Sequence, residues 1–372
     1  MSKFPVQYSL FFVTIFFLFS CTQNNKTDTK QTIIHKKNIE LNNVRFKMNR
    51  GNMLFKLADT LHGKFSFPNA ILPDSILLFI DGHKYGKLNF KDSLFLFYTG
   101  NQTSGNHTLM FLSYFSGQKE IDTYHYTLLS NIQPKEIKWE IKKIYPHDSH
   151  AYTQGLFFKN SYLYESTGQW GQSSLRKIDL TKNEIIKTYN LSHDIFGEGI
   201  VAYKNKIIWL TWQSHEAFEF DMETFELIRR FTYDTEGWGI TNYKDNLLMS
   251  DGSNLLYIVD PTSFAIIDKI QVYDNVGPVK NLNELENING MIFANVYQTD
   301  NIVVINPKTG IVIANINLKG LLPDEARNKE TDVLNGIAWD KSKEIFLVTG
   351  KNWPYMYQLS LSNFDLHKTI KN

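Results

Sequence analysis

The 372-residue chain has one cysteine, which rules out an internal disulfide and any thiolate-rich zinc or iron–sulfur site. It has no excess charge of either sign. Lys+Arg total 39 against 38 Asp+Glu, so the formal net charge is +1. That balance excludes a general basic field for nucleic acid and an acidic solvating tail. Charged residues make up only 21% and hydrophobic ones 42%, too apolar a mix for a disordered chain. Aromatics, in contrast, are plentiful at 14%, and they favour strands over long helices. The length suggests two or three domains.

Long apolar runs are also missing. The longest spans Tyr8 to Phe19, with Lys3 ahead of it. It is too short to cross a bilayer and reads as the hydrophobic region of a secretory signal. It ends in Leu18-Phe19-Ser20-Cys21, which resembles the lipobox of bacterial lipoproteins. A plain signal peptide with an incidental cysteine is the simpler alternative. The lipoprotein reading is favoured because the only cysteine stands where the motif requires it. The expectation is therefore a signal peptide over 1–20, lipidation at Cys21 and a cell-envelope protein held to a membrane by its lipid. Residues 21–36 are polar and aperiodic, as expected of a flexible tether.

Short alternating apolar runs fill the next stretch, such as ILLFIDGHKYGKLNF and SLFLFYTG. Asp81-Gly82 and Ser116-Gly117 are hairpin signals. Six or seven strands in so short a stretch predict a small β-sandwich over 37–132, immunoglobulin-like in topology. No catalytic constellation falls within it.

Beyond the linker at Asn131–Pro134 the chain repeats itself. A glycine followed by an apolar residue recurs at Gly155, Gly199, Gly239, Gly290 and Gly336. Each is followed by three more strand-like runs, for example SYLYEST, LRKIDL and EIIKTYNL. Four strands at a period near 45 residues is the signature of a β-propeller blade, and five units predict a five-bladed propeller over 137–372. The fold class is thus all-β. An extra run, WEIKKIYPHD, precedes the first unit and competes with the C-terminal FDLHKTI to close the ring.

Propeller ligands sit at the end of the central channel. The residues just before the recurring glycines, Gln154, Glu198, Trp238, Asn289 and Asn335, should point there. Five different residue types, only one a carboxylate, fit an asymmetric pocket, although each could instead satisfy loop backbone groups. Trp212, Tyr297, Lys351 and Trp353 fall at the turns out of strands in different units. Together they suggest an aromatic cage for a small polar ligand.

HDSHAYTQGLFF, LYESTGQWGQSSLRKIDL, FGEGI, EGWGI, SDGSNLLYIVDP, LNELENING and TGKNWP resemble the glutamine cyclotransferase family over about 138 to 360. These are plant- and bacterial-type glutaminyl-peptide cyclotransferases, five-bladed propellers unrelated to the zinc-dependent animal enzymes. The resemblance implies conversion of an N-terminal glutamine of a peptide or protein to pyroglutamate with release of ammonia. It implies that Glu198 is the acid/base and that Phe196, Trp212 and Trp238 line the pocket. Tyr152, where relatives often have Phe, and Gln154 belong to the same motif. Asn283 and Lys351 would contact substrate. Tyr297 stands where close relatives carry Trp.

In that reaction the α-amine attacks the side-chain amide carbon and NH3 leaves. One carboxyl group can take the proton from the amine and deliver it to the leaving nitrogen. The oxyanion donor stays open among Trp212, Trp238, Asn283 and Lys351. Glu165 of LYESTG is the rival carboxylate, read as structural. The step needs no cofactor and no metal. The alternatives are a non-catalytic propeller binding module at the cell envelope and a metal-dependent propeller hydrolase.

Overall fold

The computed structural model describes residues 43–366. The signal region, Cys21 and the tether lie outside the described residues. Among the described residues the chain is all-β, with one 3₁₀ turn at Asp324–Ala326. No helix among them is long and apolar enough to cross a membrane.

Two sheets come first. One holds the strands Arg45–Met48, Thr60–Ser66 and Leu94–Tyr98. The other orders Leu54–Lys56, Gln118–Leu129, Gly105–Phe115, Ser75–Ile80 and His83–Leu88. Alternating burial along Thr60–Ser66 and Leu94–Tyr98 turns Leu61, Phe65, Phe95 and Phe97 inward, onto Phe111 and Leu109 of the facing sheet. Asp81-Gly82 and Ser116-Gly117 make the expected hairpin turns, each with positive φ at both residues.

Five more sheets follow. The first pairs Thr153–Lys159, Tyr162–Thr167, Ser174–Asp179 and Glu184–Asn190. The second pairs Gly197–Tyr203, Lys206–Thr211, Glu216–Asp221 and Leu227–Thr232, and the third Ile240–Tyr243, Asn246–Ser250, Leu255–Val259 and Ile266–Gln271. The fourth pairs Leu282–Ile288, Met291–Val296, Asn301–Asn306 and Ile311–Asn317, with the two-residue strand Lys135–Glu136 added in parallel at its edge. The fifth runs Leu334–Asp340, Ile345–Gly350, Tyr355–Leu361 and then Trp139–Pro146. So the run before the first repeat supplies the last strand of the fifth sheet; most of FDLHKTI lies outside the described residues.

The first strands of these sheets pack side by side in chain order, and the first also meets the fifth. Burial grades outward, from a nearly fully buried inner strand such as Thr153–Lys159 to an exposed outer one such as Glu184–Asn190. The inner strands are largely buried on both faces because each is covered on both sides. Asx turns recur after the third strands. Asp179, Asp221 and Asp260 each accept backbone N–H bonds from the residues two and three positions on.

The inner strands share a local device. Their ladders slip between Thr153 and Gly155, Gly197 and Ile200, Leu282 and Leu285, and Leu334 and Ile337. A bulge here frees one residue from the pairing and re-aims its side chain. The glycines allow the strands to converge: a Cβ on Gly199 would stand 2.7 Å from the carbonyl oxygen of Trp238.

The fourth unit corrects the expected register. Asn289-Gly290 is the hairpin turn after the inner strand, with φ of 51° and 89°, and Asn289 Nδ2 donates to the carbonyl of Leu366 (2.6 Å). Asn289 therefore does not point to the mouth. The true counterpart of the glycine is Glu284, with Asn283 ahead of it. The Glu284 carboxylate reaches sideways, accepting from Leu156 N (3.3 Å) of the first sheet and Ile337 N (2.9 Å) of the fifth.

The two-sheet part docks on the outer strands of the third and fourth sheets. Asn106 and Gln271 exchange hydrogen bonds of 2.9 and 3.0 Å, and Ser104 N donates to Thr309 O (2.7 Å).

Candidate active site

One pocket of about 180 Å³ opens where the inner strands begin. Tyr152, Gln154, Gln169, Phe196, Glu198, Trp212, Trp238, Asn283, Tyr297 and Lys351 line it. Every residue that the resemblance implied as acid/base, lining or substrate contact is in this wall; Gln169 is an addition. The cavity is below the roughly 300–1,000 Å³ of sites for drug-sized ligands and suits a single amino-acid side chain.

Glu198 sits in the bulge of the second sheet and is 5% exposed. Its backbone carbonyl accepts from Ser166 Oγ (2.6 Å) and Trp209 Nε1 (3.1 Å), so the main chain is fixed while the carboxylate faces inward. Its side chain has one protein partner, Gln154 Nε2 at 3.2 Å. Gln154 in turn accepts from Lys351 Nζ at 2.7 Å. Lys351 follows the second strand of the fifth sheet. Its N–H donates to Val333 O (2.9 Å), and its ammonium stands over the rings of Tyr152 (4.7 Å) and Tyr297 (5.2 Å). Acid, amide and ammonium thus form a short buried relay.

Aromatic rings surround it. Tyr152 meets Phe196 edge-on at 6.2 Å, Phe196 meets Trp212 at 5.6 Å, and Trp238 meets Tyr297 at 5.4 Å. Between Trp212 and Trp238 the link is Glu236, whose Oε2 accepts from both indoles. Asn283 Oδ1 is buried in the wall with no hydrogen-bond partner. Leaving such an acceptor unpaired is costly, which marks it as a contact for something that enters the pocket.

The family model for glutamine cyclotransferases matches residues 110–361. The chain belongs to the glutamine cyclotransferase family. A relative from Arabidopsis thaliana, a glutaminyl-peptide cyclotransferase, is 38% identical over 228 residues, covering 60% of this chain and 71% of that one. The crystal structure of Myxococcus xanthus glutaminyl cyclase matches with a TM-score of 0.59 and 33% identity, over 63% of this chain and 100% of that one. The family match begins earlier than the motifs suggested, within the last two long strands of the two-sheet part.

The electrostatics of this cyclotransferase-family pocket follow from its dryness. Burial pushes the Glu198 carboxyl up to about 8; Lys351 pulls it down and Glu236 pushes it further up. Burial pushes the Lys351 ammonium down to about 8, against the pull of Glu198 and Asp332. The two groups are coupled, so their protons come off in two steps that belong to the pair rather than to either residue. Glu236 behaves differently. Partial burial would raise its carboxyl, but hydrogen bonds from Trp238, Trp212 and Gln213 hold it below the ordinary range. The Tyr152 hydroxyl donates to Asp332 Oδ2 (2.9 Å), and burial together with that carboxylate pushes its pKa up.

Several expectations change. Trp212 and Trp238 have both indole N–H groups committed to Glu236, so neither is a free oxyanion donor. Trp353 is a core residue, with its Nε1 on the carbonyl of Asp332 (2.9 Å). Asn335 lies beneath the pocket wall, donating to Thr153 O (3.0 Å). Glu165 is buried away from the pocket, bonded to His147 Nε2 (2.8 Å) and Thr153 Oγ1 (2.7 Å). Burial would raise its carboxyl, but His147, Arg176 and Thr153 bring it below the ordinary value, which suits a structural anchor. Glu236 and Asp332 escaped the sequence reading. The EGWGI motif contains Glu236, but nothing in its spacing says that it reaches two indoles.

Proposed function

We propose that this chain is a glutaminyl-peptide cyclotransferase, with Glu198 carrying the proton. The observation that supports it best is the buried carboxyl of Glu198 inside an aromatic belt, whose dryness pushes it up to about 8. An α-amino group titrates at about 7.7–8.0, so proton exchange between the two is close to balanced.

The amine of an N-terminal glutamine attacks its own Cδ, which forms the ring C–N bond. Glu198 takes the proton that the attacking nitrogen must lose. It then delivers that proton to the amide nitrogen, the C–N bond to it breaks, and NH3 leaves. Lys351 supplies positive charge to the transient oxyanion, because the indoles are occupied elsewhere. Asn283 Oδ1 accepts an N–H of the substrate and so fixes its folded conformer. Gln154 keeps Glu198 and Lys351 in register. Every step moves a proton or an electron pair between groups named here, and none calls on a metal or cofactor.

The same reading makes the five sheets a five-bladed β-propeller and the two-sheet part an immunoglobulin-like β-sandwich. It also makes the protein a lipoprotein anchored through Cys21 at the cell envelope, acting on peptides or proteins that reach the membrane surface. Ammonia release from a glutaminyl dipeptide, alongside mass loss of the peptide, tests the activity. No release by the wild-type chain would refute it and would favour a binding module.

A further inference from the structure

The aromatic belt is interrupted in two places, and a charged side chain fills each. Lys351 spans the gap between Tyr297 and Tyr152. Glu236 spans the gap between Trp212 and Trp238 with one oxygen atom: Oε2 lies 2.8 Å from one indole nitrogen and 2.9 Å from the other. Its Oε1 accepts from Gln213 Nε2 at 3.3 Å. Trp212 follows the second strand of the second sheet, and Trp238 precedes the inner strand of the third. Glu236 therefore ties together two walls that arise from different sheets.

We propose that Glu236 is a positioning residue, clamping both indoles against the substrate side chain and holding a fixed negative charge beside the proton-carrying carboxyl of Glu198. A carboxylate oxygen has lone pairs for both donors, and its charge makes each of the two bonds stronger than a neutral acceptor would. The clamp fixes ring orientation, which decides whether the glutamine is held in its cyclising conformer. The charge disfavours ionisation of Glu198 and so keeps its affinity for a proton close to that of the substrate amine.

Other groups bear on the same titration. Lys351 and the phenols of Tyr152, Tyr297 and Tyr233 face Glu198, and His215 stands near Glu236. A change confined to residue 236 leaves all of these in place.

The experiment compares the full chain with Glu236→Ala and Glu236→Gln, using a glutaminyl dipeptide across pH 6 to 10 and the tryptophan emission of each protein. Glu236→Ala should lower kcat/KM by roughly ten- to a hundredfold, with KM raised, as expected when a wall of the pocket is misplaced. Its emission should shift. The amide carbonyl of Glu236→Gln can still receive the indoles, so that variant should recover most of KM and keep the wild-type emission. Having lost the charge, it should move the acid limb of kcat/KM to lower pH. Wild-type KM and kcat in Glu236→Ala would overturn the proposal. So would a Glu236→Gln variant no better than alanine with an unmoved acid limb. If the alanine variant does not fold, the limb shift in Glu236→Gln decides. The inference rests on the cyclotransferase reading, but the emission comparison does not need turnover, so failure of one is distinguishable from failure of the other.

Discussion

Replacing Glu198 by Gln should have opposite effects on rate and on stability. The substitution keeps the shape of the side chain and its contact with Gln154 Nε2, since the new carbonyl can accept that bond. It removes the proton shuttle. General acid–base catalysis contributes about 10²- to 10⁴-fold, so kcat should fall by that factor, equivalent to about 3–5 kcal/mol of barrier. Stability should move the other way with pH. The carboxyl sits at about 8 in the folded chain against an ordinary 4.5, chiefly because it is buried. Between those values the folded protein holds a proton that the unfolded chain has released. This group's contribution is therefore complete below 4.5 and declines as pH rises through 8, by up to ~1.4 kcal/mol per unit. The glutamine variant lacks that decline. Urea unfolding of both proteins at pH 5 and pH 9 should show the variant gaining on the wild type at the higher pH. Lys351 acts in the reverse sense, regaining stability as pH rises from its folded value of about 8 towards 10.5. The comparison is therefore best made at or below pH 9. A variant within tenfold of the wild-type rate would remove Glu198 from the shuttle. A stability difference that does not change with pH would refute the raised carboxyl.

Two other sites give independent tests. Lys351→Ala and Asn283→Ala should each lower kcat/KM by at least tenfold. The lysine change should act mainly on kcat through the oxyanion and the asparagine change mainly on KM through positioning; unchanged kinetics in both would remove them from the pocket. Glu284→Ala should leave Leu156 N and Ile337 N without acceptors in the buried centre of the ring. At about 1–3 kcal/mol for each unsatisfied donor, the loss is about 2–6 kcal/mol, read as a lower urea midpoint. A midpoint equal to wild type would mean that the carboxylate does not staple the first and fifth sheets.

Repetition made much of this molecule readable in advance. Four strand-like runs per unit and glycines at the inner strand recur because each sheet solves the same packing problem. The fourth unit misled because its glycine motif belongs to a hairpin. Glu284 replaces the expected glycine, and a carboxylate in that place has no sequence period to announce it. Gln154 and Glu198 were legible because the residue before the inner-strand glycine falls at a fixed place in the repeat, whereas Asn283 was reached only through the family resemblance. Glu236 was not legible, because its role depends on where two indoles from different sheets converge. Assigning the oxyanion donor from sequence failed for the same reason. Composition shows that indole N–H groups are available, but only the hydrogen-bond geometry shows that they are already taken.

The pocket draws on every sheet of the ring. Gln154 comes from the first and Glu198 from the second, Trp238 precedes the third, Asn283 belongs to the fourth and Lys351 follows a strand of the fifth. No hairpin or single sheet contains even the acid–amide–ammonium relay, which joins the second, first and fifth. The relay spans the seam where the first sheet meets the last, the same seam that Glu284 bridges and that Trp139–Pro146 completes at its outer edge. Burying Glu198, Lys351 and the unpaired Asn283 oxygen opposes folding, so the site can exist only where surrounding strands hold it from all sides. Opening that seam separates Gln154 from Lys351 before it disturbs any one sheet. Activity should therefore be lost at the first step of ring opening, ahead of the loss of strand content.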